Sequence, residues 1–137
     1  MRIFLDANIL FSAAKSDGAV HQLLRLLAQA GHTLVADGFV AAEAQRNLAA
    51  KAPPAALDAL QALLAAVELA PAQMTAPTAD LAAWLPDKDR PVLLAAIALA
   101  CDALVTGDRT HFGAGYGRAF GPVTVYSPAL LAERLLG

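Results

Sequence analysis

Two carboxylates stand directly behind short apolar runs. Asp6 follows Ile3-Phe4-Leu5, and Asp108 follows Leu104-Val105-Thr106-Gly107. If both runs are strands, both acids lie at strand carboxyl ends. In an open parallel sheet, ligands collect at that edge, where the strand order reverses. Two more acids are placed to join them. Glu43 interrupts the apolar stretch Val40-Ala41-Ala42-Glu43-Ala44, and Asp89 stands at the mouth of the helix that feeds the second strand. Each acid alone has an ordinary explanation. An Asp after a strand is a common turn former or helix cap. Thr-Gly-Asp is a turn, a helical Glu is commonly solvated, and Asp87 and Asp89 are both candidate caps. His111, within Arg109-Thr110-His111-Phe112, reads as a surface residue.

Taken together, the acids point further. Two carboxylates ~4 Å apart repel by about 4 kcal/mol at an effective dielectric of 20. A chain keeps such a cluster when a cation occupies it or when one acid holds a proton. Oxygen-only donors suit hard ions such as Mg²⁺ or Mn²⁺. Mg²⁺ retains several waters and binds phosphate oxygens readily, so a phosphate-bearing substrate is expected. His21, His32 and His111 are scattered and show no zinc-site spacing with the single Cys101.

The elements that must position these acids are legible as alternating short strands and helices. Arg2–Leu5 reads as a buried strand stopped by Asp6-Ala7-Asn8. A helical turn at 9–14 is broken by Gly18. A helix at 20–30 carries Val20, Leu23, Leu24, Leu27 and Ala30 at spacings of three and four, and Gly31 ends it. Residues 33–36 form a second strand and 39–50 a helix. Pro53-Pro54 precedes a helix at 55–66 and a short strand at 67–69. A short helix is predicted at 78–84. A polar loop from Leu85 to Pro91 enters a helix running through Ala100, with Pro91 tolerated in its first turn. Residues 103–106 form a strand. Residues 107–121 hold five of the nine glycines and read as an exposed loop. Val123–Tyr126 is the last strand, and Ser127-Pro128 opens a final helix as cap and first helical residue. The alternation predicts a three-layer α/β/α sandwich with a mainly parallel sheet, as one domain over residues 1–137.

Composition sets the outer limits. A chain of 137 residues buries enough surface to fold without disulfides. The lone Cys101, beside Leu99, Ala100 and Leu104, reads as a small buried hydrophobe, and a reduced cytoplasmic setting fits it. Hydrophobic residues make up 58% and charged residues 16%, with no unbroken apolar run long enough for a membrane span. The opening Met1-Arg2-Ile3-Phe4-Leu5-Asp6 meets an acid too early for a secretory signal. The apolar excess fits a partner interface. A net charge of −2 argues against a passive nucleic-acid binder, and less against a nuclease whose carboxylates are offset by bound ions. No aromatic-interleaved basic patch is visible. Other phosphate chemistries fit less well. A haloacid-dehalogenase-like phosphatase wants a second Asp where Asn8 stands. A receiver domain wants paired acids before its phospho-acceptor strand. A dinucleotide-binding domain needs Gly-x-Gly-x-x-Gly, which is absent.

The chain resembles a PIN domain, the nuclease fold of VapC-type toxins. The resemblance spans nearly the whole sequence. It is carried by the apolar strand and Asp-x-Asn of Met1 to Leu10, by Ala42-Glu43-Ala44, and by Asp87-Lys88-Asp89-Arg90-Pro91-Val92-Leu93-Leu94-Ala95-Ala96. It continues in Cys101-Asp102-Ala103-Leu104-Val105-Thr106-Gly107-Asp108, in Phe112, and in Val123-Thr124-Val125-Tyr126-Ser127-Pro128. The block ending in Thr-Gly-Asp is the most specific part. The resemblance implies a metal-dependent endoribonuclease with Asp6, Glu43 and Asp89 as main metal ligands and Asp108 as a fourth acid or water-mediated ligand. Asp87 competes with Asp89 for the third role, and Asp89 fits the family spacing better. Asn8 and Thr106, and more weakly Ser12, would orient carboxylates by hydrogen bonds. Arg46, Lys88 and Arg90 are candidates for holding flanking phosphates, with solvated surface charge as the alternative. One or two Mg²⁺ or Mn²⁺ ions would polarise the scissile phosphate and the attacking water, with no side-chain nucleophile. A single-stranded or looped RNA substrate, a homodimer and a small antitoxin partner complete what the resemblance implies. The competing expectation is a catalytically silent PIN-like interaction module.

Overall fold

The structure, a computed structural model, describes residues 1–72 and 79–137. Strands β1 (Arg2–Leu5), β2 (Thr33–Asp37), β3 (Glu68–Ala70), β4 (Ala103–Val105), β5 (Ala119–Phe120) and β6 (Val123–Tyr126) form one sheet in the order β3-β2-β1-β4-β6-β5. All pairings are parallel except β5 with β6. The helices are α1 (Ala7–Lys15), α2 (Ala19–Gln29), α3 (Gly38–Lys51), α4 (Ala55–Ala65), α5 (Arg90–Ala98), α6 (Arg109–Phe112) and α7 (Pro128–Leu136). This is the α/β sandwich with a mainly parallel sheet that the alternation predicts.

The central strands are apolar throughout because both sheet faces are covered. Ile3, Phe4, Leu5, Val35, Ala36, Ala103, Leu104, Val105, Val123 and Val125 are all fully buried. α1 packs on α2, α3 and α4, while α7 packs on α2 and β6. The chain steps outward from β1 to β2 to β3, then returns to place β4 on the other side of β1. Strand order therefore reverses between β1 and β4, and a crevice opens there at the carboxyl edge. The register fixes what meets at that crevice. Leu5 pairs with Val105, and the ladder continues through Asp6 N–H donating to Val105 O at 3.1 Å. Asp6 and Thr106 are thus held side by side by backbone.

Several elements differ from the sequence-based expectation. Residue 78 of the expected 78–84 helix lies outside the described residues, and Ala79–Ala82 is a 3₁₀ turn. α5 ends at Ala98 rather than Ala100, because Ala100 takes φ 56° and ends the helix in the left-handed region that glycine usually fills. The 107–121 stretch is not an exposed loop. It contains α6, a 3₁₀ turn at Gly113–Gly115 and the antiparallel edge strand β5. Phe112 is fully buried there, in edge contact with Trp84, which in turn stacks on Phe120 at 4.6 Å. Gly115 lies so close to this aromatic cluster that an added Cβ would sit 2.5 Å from Trp84 Cη2. Gly115, one of the glycines that suggest an open loop, instead allows a close approach to tryptophan.

Candidate active site

Asp6 sits at the N-cap of α1 with 5% exposure. Its two oxygens meet three donors. Ala7 N–H donates to Oδ1 at 2.7 Å, the Thr106 hydroxyl to Oδ2 at 2.8 Å, and the Asn8 amide to Oδ2 at 3.2 Å. Asn8 and Thr106 are themselves fixed. Asn8 donates to Thr106 Oγ1 at 3.2 Å, Gly107 N–H donates to Asn8 Oδ1 at 2.8 Å, and Asp108 N–H donates to Thr106 Oγ1 at 3.1 Å. This lattice joins the ends of β1 and β4, and its donors are aimed at an ionised acid. Burial pushes the Asp6 carboxyl up to about 6; the Thr106 and Ala7 hydrogen bonds oppose this, and the nearby Glu43 and Asp89 add to it.

Asp6, Glu43, Asp89 and Asp108 line one cavity of about 370 Å³, together with Asn8, Phe11, Phe39, Asn47, Lys51 and Lys88. The four acids come from the end of β1, the middle of α3, the start of α5 and the turn after β4. None of them pairs with a lysine or arginine among the described residues. Asp89 occupies the N-cap position of α5, yet its side chain makes no capping hydrogen bond. It turns instead toward His111, whose Nδ1 lies 3.0 Å from Asp89 Oδ2 and 2.9 Å from Asp108 Oδ2. Neither contact has hydrogen-bond geometry, and Asp89 Oδ2 and His111 Nδ1 are both buried without a hydrogen-bond partner among the described residues. Facing, unbonded donor atoms of this kind suit a bound cation, as does the carboxylate-rich set around them.

The PIN domain family matches residues 2–110. The chain belongs to the PIN domain family. Solved structures share the fold at low identity. VapBC2 from Rickettsia felis, solved with a DNA fragment from its promoter, is 18% identical with a TM-score of 0.67, covering 93% of this chain and 98% of that one. VapC20 from Mycobacterium tuberculosis, a Sarcin-Ricin loop cleaving toxin, is 17% identical with a TM-score of 0.59, covering 88% and 98%. No curated protein matches the sequence.

Within this PIN domain, several sequence candidates lie away from the cavity. Asp87 points to solvent and pairs with Arg90 at 2.7 Å. Arg90 is not free for phosphate. Its guanidinium also donates to Leu85 O at 2.9 Å and Ala83 O at 3.2 Å, tying down the loop before α5. Arg46 and Ser12 are exposed and do not line the cavity. Lys88 does line it. Other residues emerge only in three dimensions. Phe39, Glu43, Asn47 and Lys51 follow one another at intervals of four along α3, so they occupy one stripe of that helix. Arg46, three residues after Glu43, falls off the stripe. The i+4 spacing from Glu43 was the available signal for Asn47 and Lys51. Phe11 and Phe39 line the same cavity as the two lysines, a grouping that no local stretch of sequence displays. Asp37, at the end of β2, is also buried, but it caps α3 through Val40 N–H at 3.1 Å and is not in the cavity lining.

Proposed function

We propose that this PIN protein is a divalent-metal-dependent endoribonuclease, the toxin of a toxin–antitoxin pair. One observation carries the reading: four carboxylates from four chain segments, unpaired with any lysine or arginine among the described residues, line one cavity at the switch point of the sheet. Asp6, Glu43, Asp89 and Asp108 would hold Mg²⁺ or Mn²⁺. When bound, such an ion supplies Lewis-acid activation of water and neutralises charge on the phosphate. The chain's own residues supply position. Thr106 and Asn8 hold the Asp6 carboxylate in one orientation. Lys51 and Lys88 at the cavity wall meet phosphates flanking the scissile one. Phe39, exposed at the cavity, offers apolar surface to an unstacked base, which favours single-stranded or looped RNA over a rigid duplex.

The toxin assignment is supported by the fold shared with a VapBC assembly and with a Sarcin-Ricin loop cleaving toxin. A small antitoxin partner, a homodimer and a cytoplasmic setting go with it. No helix among the described residues is long and apolar enough to cross a membrane.

The test is cleavage of total RNA by the purified chain. Cleavage is expected with Mn²⁺ or Mg²⁺ and not in EDTA. Asp89→Asn is expected to lower it by ~100-fold or more, at or above the range seen for groups that merely support a metal ligand. Asp87→Asn is expected to leave it intact. Full activity in EDTA or in Asp89→Asn overturns the nuclease mechanism. Absence of any carboxylate-dependent Mn²⁺ affinity leaves the silent interaction module.

A further inference from the structure

Among the described residues, His111 is the histidine in contact with the acid cluster. It is held there firmly. Its backbone N–H donates to Asp108 Oδ1 at 3.1 Å, and the neighbouring Phe112 packs edge-on against Trp84. The ring nitrogen Nδ1 faces Asp89 Oδ2 and Asp108 Oδ2 at 3.0 and 2.9 Å, without hydrogen-bond geometry to either. A protonated histidine could pair with the same two oxygens, and it is the missing hydrogen-bond geometry at Nδ1 and Asp89 Oδ2 that favours a metal ligand over a counter-ion. Adjacent donors of an octahedral shell with ~2.1 Å bonds lie ~3.0 Å apart, which matches both separations. The three donor atoms all fall within 4.8 Å of one another.

We propose that Asp89, Asp108 and His111 form a nitrogen-containing metal subsite, with His111 Nδ1 as a ligand, that takes Mn²⁺ or a later first-row divalent ion in preference to Mg²⁺. The inference rests on the reading of the acid cluster as a metal site and extends it to the choice of ion. The physical reason is donor chemistry. Mg²⁺ is a hard ion that favours oxygen and retains water, whereas imidazole binds first-row transition ions well. Asp89 lies next to Asp6 electrostatically and next to His111 by contact, so it links this subsite to the rest of the cluster.

The test is Mn²⁺ binding to the full chain, followed by electron paramagnetic resonance. Free Mn²⁺ is counted during a titration, and pulsed spectra report ¹⁴N coupling to the bound ion. The wild-type complex is expected to show ¹⁴N coupling. His111→Gln is expected to lose that coupling and to weaken Mn²⁺ binding by about tenfold or more, comparable to what altered metal shells cost elsewhere. Competition by Mg²⁺ is expected to change less than about threefold in the same variant, since the oxygen ligands remain. Carboxylate-dependent Mn²⁺ binding without ¹⁴N coupling in the wild type overturns the subsite and leaves the nuclease reading standing. Failure of the wild type to bind Mn²⁺ at all overturns both. The wild-type spectrum decides the matter even if His111→Gln fails to fold.

Discussion

Asp6 shows two opposed influences on one side chain. Burial and the neighbouring acids favour a proton, while three hydrogen-bond donors favour the charge. Burial dominates, and the folded-state value of about 6 lies above the ordinary 3.8. Between those two values the metal-free folded chain binds more protons than the unfolded one. Stability of the metal-free protein therefore falls as pH rises from about 4 to about 6, then levels. The full loss is on the order of 3 kcal/mol for a shift of about two units. Urea unfolding in EDTA across this range checks it. Asp6→Asn is expected to flatten the slope. It will not recover the whole amount, because an Asn amide turns a donor toward Thr106, Asn8 or Ala7, which are themselves donors. A slope of the opposite sign in the metal-free wild type would show that the three donors outweigh burial. The residue scale also separates what a sequence can reveal from what it cannot. Asp6 and Asp108 were visible because each ends an apolar run, and their capping role and their place in the cavity turned out to be compatible. His111 reads as a surface residue in the sequence, yet its Nδ1 is buried against Asp89 and Asp108; a lone histidine carries no spacing signal, and Asp89 lies 22 positions earlier in the chain.

At the scale of elements, the parallel strands and their order of appearance were readable from apolar runs, turn residues and the Ser127-Pro128 cap. The register was not, and it is the register that sets Asp6 beside Thr106. Glycine content makes the segment after β4 read as an open loop. Here Gly115 serves tight packing on Trp84, a contact with a residue some thirty positions away. α3 illustrates the finer point. Its polar residues look alike in sequence, but only the stripe at intervals of four faces the cavity. This yields a paired prediction. Lys51→Ala is expected to weaken binding of single-stranded RNA roughly tenfold, the loss of one charge-assisted contact of about 1.5 kcal/mol. Arg46→Ala, one turn away on the same helix, is expected to change it less than about twofold. Fluorescence anisotropy with the inactive Asp89→Asn protein as background measures both without cleavage. Equal losses from the two substitutions would place the RNA path along the outer face of α3 rather than in the cavity.

The whole molecule carries 10 basic and 12 acidic residues, so it has no broad positive field with which to gather RNA. Its basic residues are also partly committed. Arg2 pairs with Glu68 at the opposite edge of the sheet, and Arg90 is bound to its own loop. Lys51 and Lys88 are the lysines that line the cavity. Each phosphate neutralised on a single strand lowers log affinity against log salt by roughly 0.7, so two contacts give a slope of about −1.4 in metal-free Asp89→Asn. Adding Mg²⁺ or Mn²⁺ to the wild type should strengthen binding more than lowering monovalent salt does, because attraction then runs through the acid cluster. A homodimer changes this expectation in a defined way. Two chains side by side double the lysines near one strand and can build a basic groove that one chain lacks. Filter binding over a salt series, run beside light scattering at the same micromolar concentration, separates the cases. A mass near the monomer's 14.1 kDa with a shallow slope fits recognition by one cavity alone. A mass near twice that with a slope of about −4, equivalent to roughly six contacts, means that the dimer assembles the RNA-binding surface. A steep slope from a monomer would contradict the charge argument itself. Tight binding of duplex DNA by the chain alone would contradict the RNA assignment, since a rigid duplex presses its flanking phosphates against a surface with few cations.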